Sequence, residues 1–314
     1  MGSKKIIIFL VFFPVLFSGC DLFTRAGIDY PEKGRAVMRT TASYHWWSYV
    51  PASAKKGDTC YIWVDMMVPQ VEDYDEVTTA AGTRCRNCSF VAELFGYIII
   101  EPAVPRLFSP CDYYPEALDY YSLRSSTPAA YYRPDLKVNA IIDELRSLLS
   151  ASGCVVPEKV FVSGFSAGGM WSNRYALLNP ERVRAAAMGH CGGWLGMPLE
   201  QTPAGVDLNW PMGLSDFEAL TGSPYDKSDA LKAVPQFVFI GAEDTGSAYT
   251  GFGCYPGVGD IEAWGTTNQI RLETQTALLA SLEYDVTYKV YPGAGHMLTV
   301  PMQVDILSFF NSHR

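Results

Sequence analysis

The chain has 314 residues, 48% of them hydrophobic, which is ample for a large core and fits one α/β domain or two smaller ones. Its formal net charge is -9, from 24 basic and 33 acidic residues. No long basic run occurs, so nucleic acid is not an expected partner.

The N-terminus reads as a targeting segment. Lys4 and Lys5 precede an apolar run over 6–17, and Ser18-Gly19-Cys20 follows. A positive start, a short apolar stretch and small residues describe an export signal, and the stretch is too short for a membrane span. A cysteine directly after Ser18-Gly19 resembles the bacterial lipoprotein processing box, with Phe17 in place of the usual leucine. An ordinary signal peptide with an incidental cysteine is the alternative. The resemblance implies a signal over 1–19, a mature chain starting at lipidated Cys20, and a bilayer partner held through its acyl chains. Asp21 resembles an inner-membrane retention signal. The expected location is the bacterial cell envelope, lipid-anchored and extracytoplasmic, or else secreted. Residues 20–35 are expected to be a tether or lead-in, and 36–314 the catalytic domain.

Export permits disulfides among the seven remaining cysteines, Cys60, Cys85, Cys88, Cys111, Cys154, Cys191 and Cys254. Seven is odd, so internal pairing leaves at least one thiol. Cys85 and Cys88 form C-x-x-C without a second such pair. A structural disulfide using one or both is favoured over a redox or zinc motif. Connectivity is not readable from spacing.

Taken in order, 36–50 alternates and is rich in aromatics, predicting one or two antiparallel strands. Residues 60–68 and 96–101 read as strands, each stopped by proline. A helix is expected near the end of 72–94. Residues 102–134 are rich in Pro, Tyr and Ser and read as a long loop. Leu136, Val138, Ile141, Ile142, Leu145, Leu148 and Leu149 recur at helical spacing, predicting a helix over 135–149. Strands follow at 159–163, 182–188, 237–240 and 284–291, with helices at 170–178, 266–281 and 304–310. Residues 194–231 lack regular pattern and are a candidate cap segment. This rhythm predicts an α/β fold: one domain whose mostly parallel sheet is covered by helices on both faces.

The 159–163 strand runs into Gly164-Phe165-Ser166-Ala167-Gly168, a G-x-S-x-G pattern. The chain must turn sharply from strand to helix there and leave one hydroxyl exposed, with glycines giving room. Ser166 is the candidate nucleophile. A serine needs a base, and the base an orienting acid. Of four histidines, only His296 takes the expected last place in the order serine, acid, histidine, directly after a late strand in the Gly-rich turn Pro292-Gly-Ala-Gly-His296. Asp244 directly follows the 237–240 strand and is the candidate acid, with Glu243 and Asp260 as competitors. An oxyanion hole needs backbone donors: Ala167 N–H, with Met67 or Val68 N–H as candidates for the second. Pro69 has no N–H to give. His190 is a candidate for the mouth of the site. Trp194 and Trp171 are candidate substrate contacts, with core or cap packing as the competing reading.

These three motifs, over 157–170, 241–245 and 291–297, resemble those of α/β-hydrolases. They are most similar to secreted serine esterases of the polyhydroxybutyrate-depolymerase and feruloyl-esterase type. The resemblance spans roughly 58–311 in order and spacing. It implies an extracytoplasmic serine hydrolase cleaving a small or polymeric carboxylic ester through an acyl-serine. It also implies no metal or organic cofactor, with Ser166, Asp244 and His296 as the triad. The family's His-Gly dipeptide is replaced here by Val64-Asp-Met-Met-Val-Pro69, so the oxyanion loop is built differently. A serine peptidase of the same fold and an inactive envelope-anchored binding protein are the alternatives.

Overall fold

The computed structural model describes residues 29–314 apart from 31, 67–68, 70, 107–114, 246–260 and 262–263. The signal segment, Cys20, Asp21, Met67, Val68, Cys111, Cys254 and Asp260 lie outside the described residues.

Eight strands form one sheet: β1 (Ala36–Thr41), β2 (Tyr44–Tyr49), β3 (Tyr61–Met66), β4 (Tyr97–Pro102), β5 (Val160–Phe165), β6 (Val183–Gly189), β7 (Gln236–Gly241) and β8 (Val286–Tyr291). Their spatial order is β1-β2-β4-β3-β5-β6-β7-β8. The β1–β2 and β2–β4 pairs are antiparallel, and every pairing from β4 to β8 is parallel. Parallel neighbours need crossovers, and helices supply them: α1 (Tyr74–Phe95), α2 (Tyr120–Leu123), α3 (Pro134–Ala151), α4 (Ala167–Leu178), α5 (Phe217–Thr221), α6 (Ser228–Lys232) and α7 (Asn268–Ser281), while α8 (Val300–Ser312) follows the last strand.

Strand periodicity divides the core in two. On β5, Val160 and Val162 join α3, α4 and α7, whereas Phe161 points to the face covered by α1 and α8. Likewise Ile62 and Val64 of β3 take the first face and Trp63 the second. Both faces are thus buried, and the central strands read as apolar runs.

Helix α1 is longer than its sequence suggested. Asp73 caps it, accepting from Asp75 N–H and Glu76 N–H at 3.0 and 2.9 Å, and Gly96 at φ 70° ends it. Its buried stripe is Val77, Thr78, Ala81, Gly82, Cys85, Cys88 and Ala92. These side chains are mostly too small to give a strong apolar period. Cys85 and Cys88 are both buried on this helix as thiols, so the expected disulfide is not formed there.

Two segments are more embedded than their composition implied. The described end of the lead-in is docked: Tyr30 is buried in the core, Asp29 N–H donates to Ser152 O, and Gly34 N–H donates to Val50 O. The candidate cap segment also packs inward. Trp194, Leu195, Met197, Leu208, Trp210 and Met212 belong to the main core. Trp210 Nε1–H donates to Leu118 O and Asp119 O, tying the segment to the loop before α2. No helix among the described residues is long and apolar enough to cross a membrane.

Candidate active site

Parallel strands in this order bring their carboxyl ends to one rim, and the chemistry-bearing residues lie just beyond β5, β6, β7 and β8. Ser166 follows β5 at φ 58°, ψ -121°, a conformation L residues rarely adopt. Such strain costs about 1–3 kcal/mol and persists only where the surroundings enforce it. Here Ser166 N–H donates to Gly189 O at 2.9 Å, and Met170 N–H donates to Ser166 O at 3.0 Å. A Cβ on Gly164 would meet Gly168 O at 2.1 Å, and one on Gly168 would meet Met66 O at 2.0 Å. The elbow glycines are therefore demanded by backbone contact, and β3 ends directly against the elbow.

Ser166 Oγ lies 3.0 Å from His296 Nε2, and His296 Nδ1 lies 2.9 Å from Asp244 Oδ2. Burial pushes the Asp244 carboxyl up, but hydrogen bonds from His190 and His296 outweigh it and hold the group well below the usual carboxylate range. Asp244 is thus an acceptor, His296 donates to it through Nδ1–H, and His296 Nε2 is left to accept from Ser166 O–H. The histidine side chain is 48% exposed while Asp244 is 7% exposed, which places the base toward solvent and its orienter behind it. Glu243 is exposed and does not compete with Asp244.

His190 does not line the mouth. It is fully buried at the end of β6, in a left-handed backbone conformation at φ 46°. Gly241 N–H donates to its Nε2 at 3.1 Å, which fixes the ring proton on Nδ1. That Nδ1–H donates to Asp244 Oδ2 at 2.6 Å. Two imidazoles therefore share one carboxylate oxygen, with ring centroids 5.2 Å apart and planes at 89°. The Phe165 ring packs against both, at 4.7 and 5.0 Å between centroids. His190 is a positioning residue: neither nitrogen is open to a substrate.

Two histidines and an acid can also be read as a metal-ligand set. The donor chemistry opposes this. With Gly241 N–H on Nε2, the His190 Nδ1 must carry a proton and has no lone pair to give, leaving only His296 and Asp244.

Ala167 begins α4 immediately after Ser166, which puts its N–H at the position expected of an oxyanion donor. Met67 and Val68 lie outside the described residues. Trp194 and Trp171 are core residues: Arg174 lies over the Trp194 ring at 4.7 Å, and Trp171 stacks on Tyr175 at 4.5 Å.

A second polar cluster was not anticipated. Asp65 and Glu101 meet Arg84 and Cys88 of α1 on the other face of the sheet. Arg84 Nε–H donates to Asp65 Oδ2 at 2.7 Å, and Ser163 O–H donates to Asp65 Oδ1 at 2.7 Å. Burial, reinforced by the Asp65 carboxylate, pushes Glu101 well above the usual range despite Arg84. Asp65, Cys88 and Glu101 also have metal-ligand character, but the Arg84 guanidinium already supplies the cation there. A cavity of about 160 Å³ adjoins the cluster, bounded by Trp63, Val91, Phe165, Leu298 and Ile306.

No protein-family model matches the chain, and no curated protein matches it. Solved structures do. Poly(aspartic acid) hydrolase-1 from Sphingomonas sp. KT-1 superposes with a TM-score of 0.55 at 18% identity, covering 92% of this chain and 97% of that one. LpqC, a poly(3-hydroxybutyrate) depolymerase from Bordetella parapertussis, superposes with a TM-score of 0.52 at 16% identity, covering 86% of this chain and 84% of that one. With its nucleophile elbow after a central strand and its acid and histidine after later ones, the chain has the α/β-hydrolase fold.

Proposed function

We propose that the protein is a serine hydrolase that cleaves a carboxylic ester through an acyl-serine intermediate. The observation that carries the reading is the unbroken relay of Ser166 Oγ, His296 and Asp244, at 3.0 and 2.9 Å, with the serine on a strained elbow. Ser166 attacks the ester carbonyl while His296 Nε2 takes its proton. Asp244 stabilises the imidazolium and holds its orientation. Ala167 N–H donates to the developing oxyanion, together with Met67 or Val68 N–H as the second donor. His296 then protonates the leaving alkoxide, and water enters by the reverse sequence to release the acid.

A panel of acyl esters with aminoacyl amides alongside tests the reaction class. Ester turnover abolished by Ser166→Ala supports the reading. Amide turnover without ester turnover replaces it with a peptidase, and ligand capture without turnover in either series replaces it with a binding protein. We further propose that the chain is exported and anchored through acylated Cys20, on the strength of the Ser18-Gly19-Cys20 box. Incorporation of a labelled fatty acid, lost in Cys20→Ser with release to the soluble fraction, is the expected outcome. Equal incorporation in that variant overturns the anchor.

A further inference from the structure

We propose that Cys60 and Cys154 form a structural disulfide once the chain is in an oxidising compartment. The two residues are 94 positions apart, yet their sulfurs stand 2.7 Å from one another, against about 2.05 Å for a covalent S–S bond. Both are buried, at 4% and 7% exposure. The backbone brings them together. Cys60 immediately precedes β3, Cys154 lies in the turn after α3 that leads to β5, and β3 and β5 are adjacent parallel strands. Gly57 N–H donates to Gly153 O at 2.8 Å, Val155 N–H to Asp58 O at 2.9 Å, and Cys60 N–H to Val155 O at 2.8 Å. These bonds clamp both segments on either side of the sulfurs, so closing the remaining gap needs little movement. Among the described residues no other pair of cysteine sulfurs is in hydrogen-bond contact. Cys88 instead faces Asp65 and Glu101, at 3.7 and 3.9 Å.

The chemistry is thiol–disulfide exchange with a partner disulfide, either glutathione disulfide or the oxidised dithiol of an envelope oxidoreductase. One cysteine thiolate attacks a partner sulfur, breaking the partner's S–S bond and expelling one thiolate. The second cysteine thiolate attacks the resulting mixed disulfide, forming Sγ–Sγ and expelling the other. Two electrons pass to the partner and two protons leave the pair. A cavity of about 250 Å³ beside Cys60, bounded by Asp58, Thr59, Tyr61, Phe95 and Arg314, gives the partner its approach. The bond staples the amino ends of β3 and β5, whose carboxyl ends carry Met66 and the nucleophile elbow.

The proposal takes its compartment from the export reading, but its test does not depend on export or on ester hydrolysis. The full chain is equilibrated in a buffer of reduced and oxidised glutathione, quenched in acid, alkylated and digested without reduction. Mass spectrometry is expected to find Cys60 linked to Cys154, with Cys85, Cys88 and Cys191 alkylated. Adding dithiothreitol lowers the Tm by about 5–10 °C, and the Cys60→Ser, Cys154→Ser double variant shows no such reductant-dependent drop. Alkylation of both Cys60 and Cys154 in the oxidised sample, or linkage of either to another cysteine, overturns the proposal. Failed fatty-acid labelling at Cys20 alongside a formed Cys60–Cys154 bond would count against export alone.

Discussion

Ser163 and Ser166 share one strand and its turn and each stands near a carboxylate, but only Ser166 has an imidazole in between. Ser163 is buried in regular strand. It gives its proton to Asp65 at 2.7 Å and accepts from Trp63 Nε1–H at 2.7 Å, so its hydroxyl is fully engaged. The acid beyond it is paired with Arg84, and among the described residues no imidazole stands between Ser163 and that acid. Ser166 is held in a strained conformation at the rim, and its proton points at an imidazole rather than a carboxylate. That imidazole is half-exposed and backed by an acid which two histidines keep ionised. A serine beside an acid is therefore not a site. A mobile proton acceptor between them and access from solvent make it one.

The sharpest break between the two regions comes from removing each hydroxyl. Ser166→Ala should lower kcat/KM by about 10⁴-fold or more. Ser163→Ala should leave kcat/KM within about threefold while costing about 1–3 kcal/mol in denaturant unfolding, because Asp65 and Trp63 each lose a buried partner. The cation of the inert region comes next. Arg84→Met leaves the Asp65 charge buried and unpaired, and should cost about 3–5 kcal/mol of stability with turnover per folded site unchanged.

A smaller effect separates the two histidines. His190→Phe keeps the ring volume but removes one of the two imidazole donors to Asp244. Loosening of the relay should reduce kcat by about 10–100-fold. A purely structural role for His190 would lower the amount of folded protein while leaving kcat per folded site unchanged.

The mildest test is the pH dependence of stability at Glu101. Its carboxyl is raised in the folded state, whereas an unfolded glutamate loses its proton near about pH 4.3. The stability from this group is thus fully present below that pH, and is lost as pH rises through the raised native value. Glu101→Gln keeps a neutral side chain at all pH values. It should flatten the decline by up to one proton's worth of slope, read from urea midpoints at a series of pH values.

Much of the site was legible because it is written locally. Gly164 is required by its contact with Gly168 four residues on, and Asp244 and His296 each follow a readable strand; the contact of Gly168 with Met66 is long-range. What was not legible depends on strand order. His190 reaches Asp244 because β6 lies beside β7, and Cys60 meets Cys154 because β3 lies beside β5 while β4 lies on its far side. No spacing in the sequence encodes those neighbours. The polar cluster of Asp65, Glu101 and Arg84 was hidden for the same reason. The start of α1 was missed for another: its buried stripe is largely Thr, Ala, Gly and Cys, which packs closely but gives little hydrophobic signal.

The central claim is that Ser166 alone is an activated nucleophile, and a fluorophosphonate probe reads this directly. Intact-mass and peptide analysis should find a single adduct on Ser166, formed readily by the wild type, strongly slowed in His296→Ala and absent in Ser166→Ala. No adduct on the wild type, under conditions that label a known serine esterase, or an adduct that persists in Ser166→Ala, would contradict it.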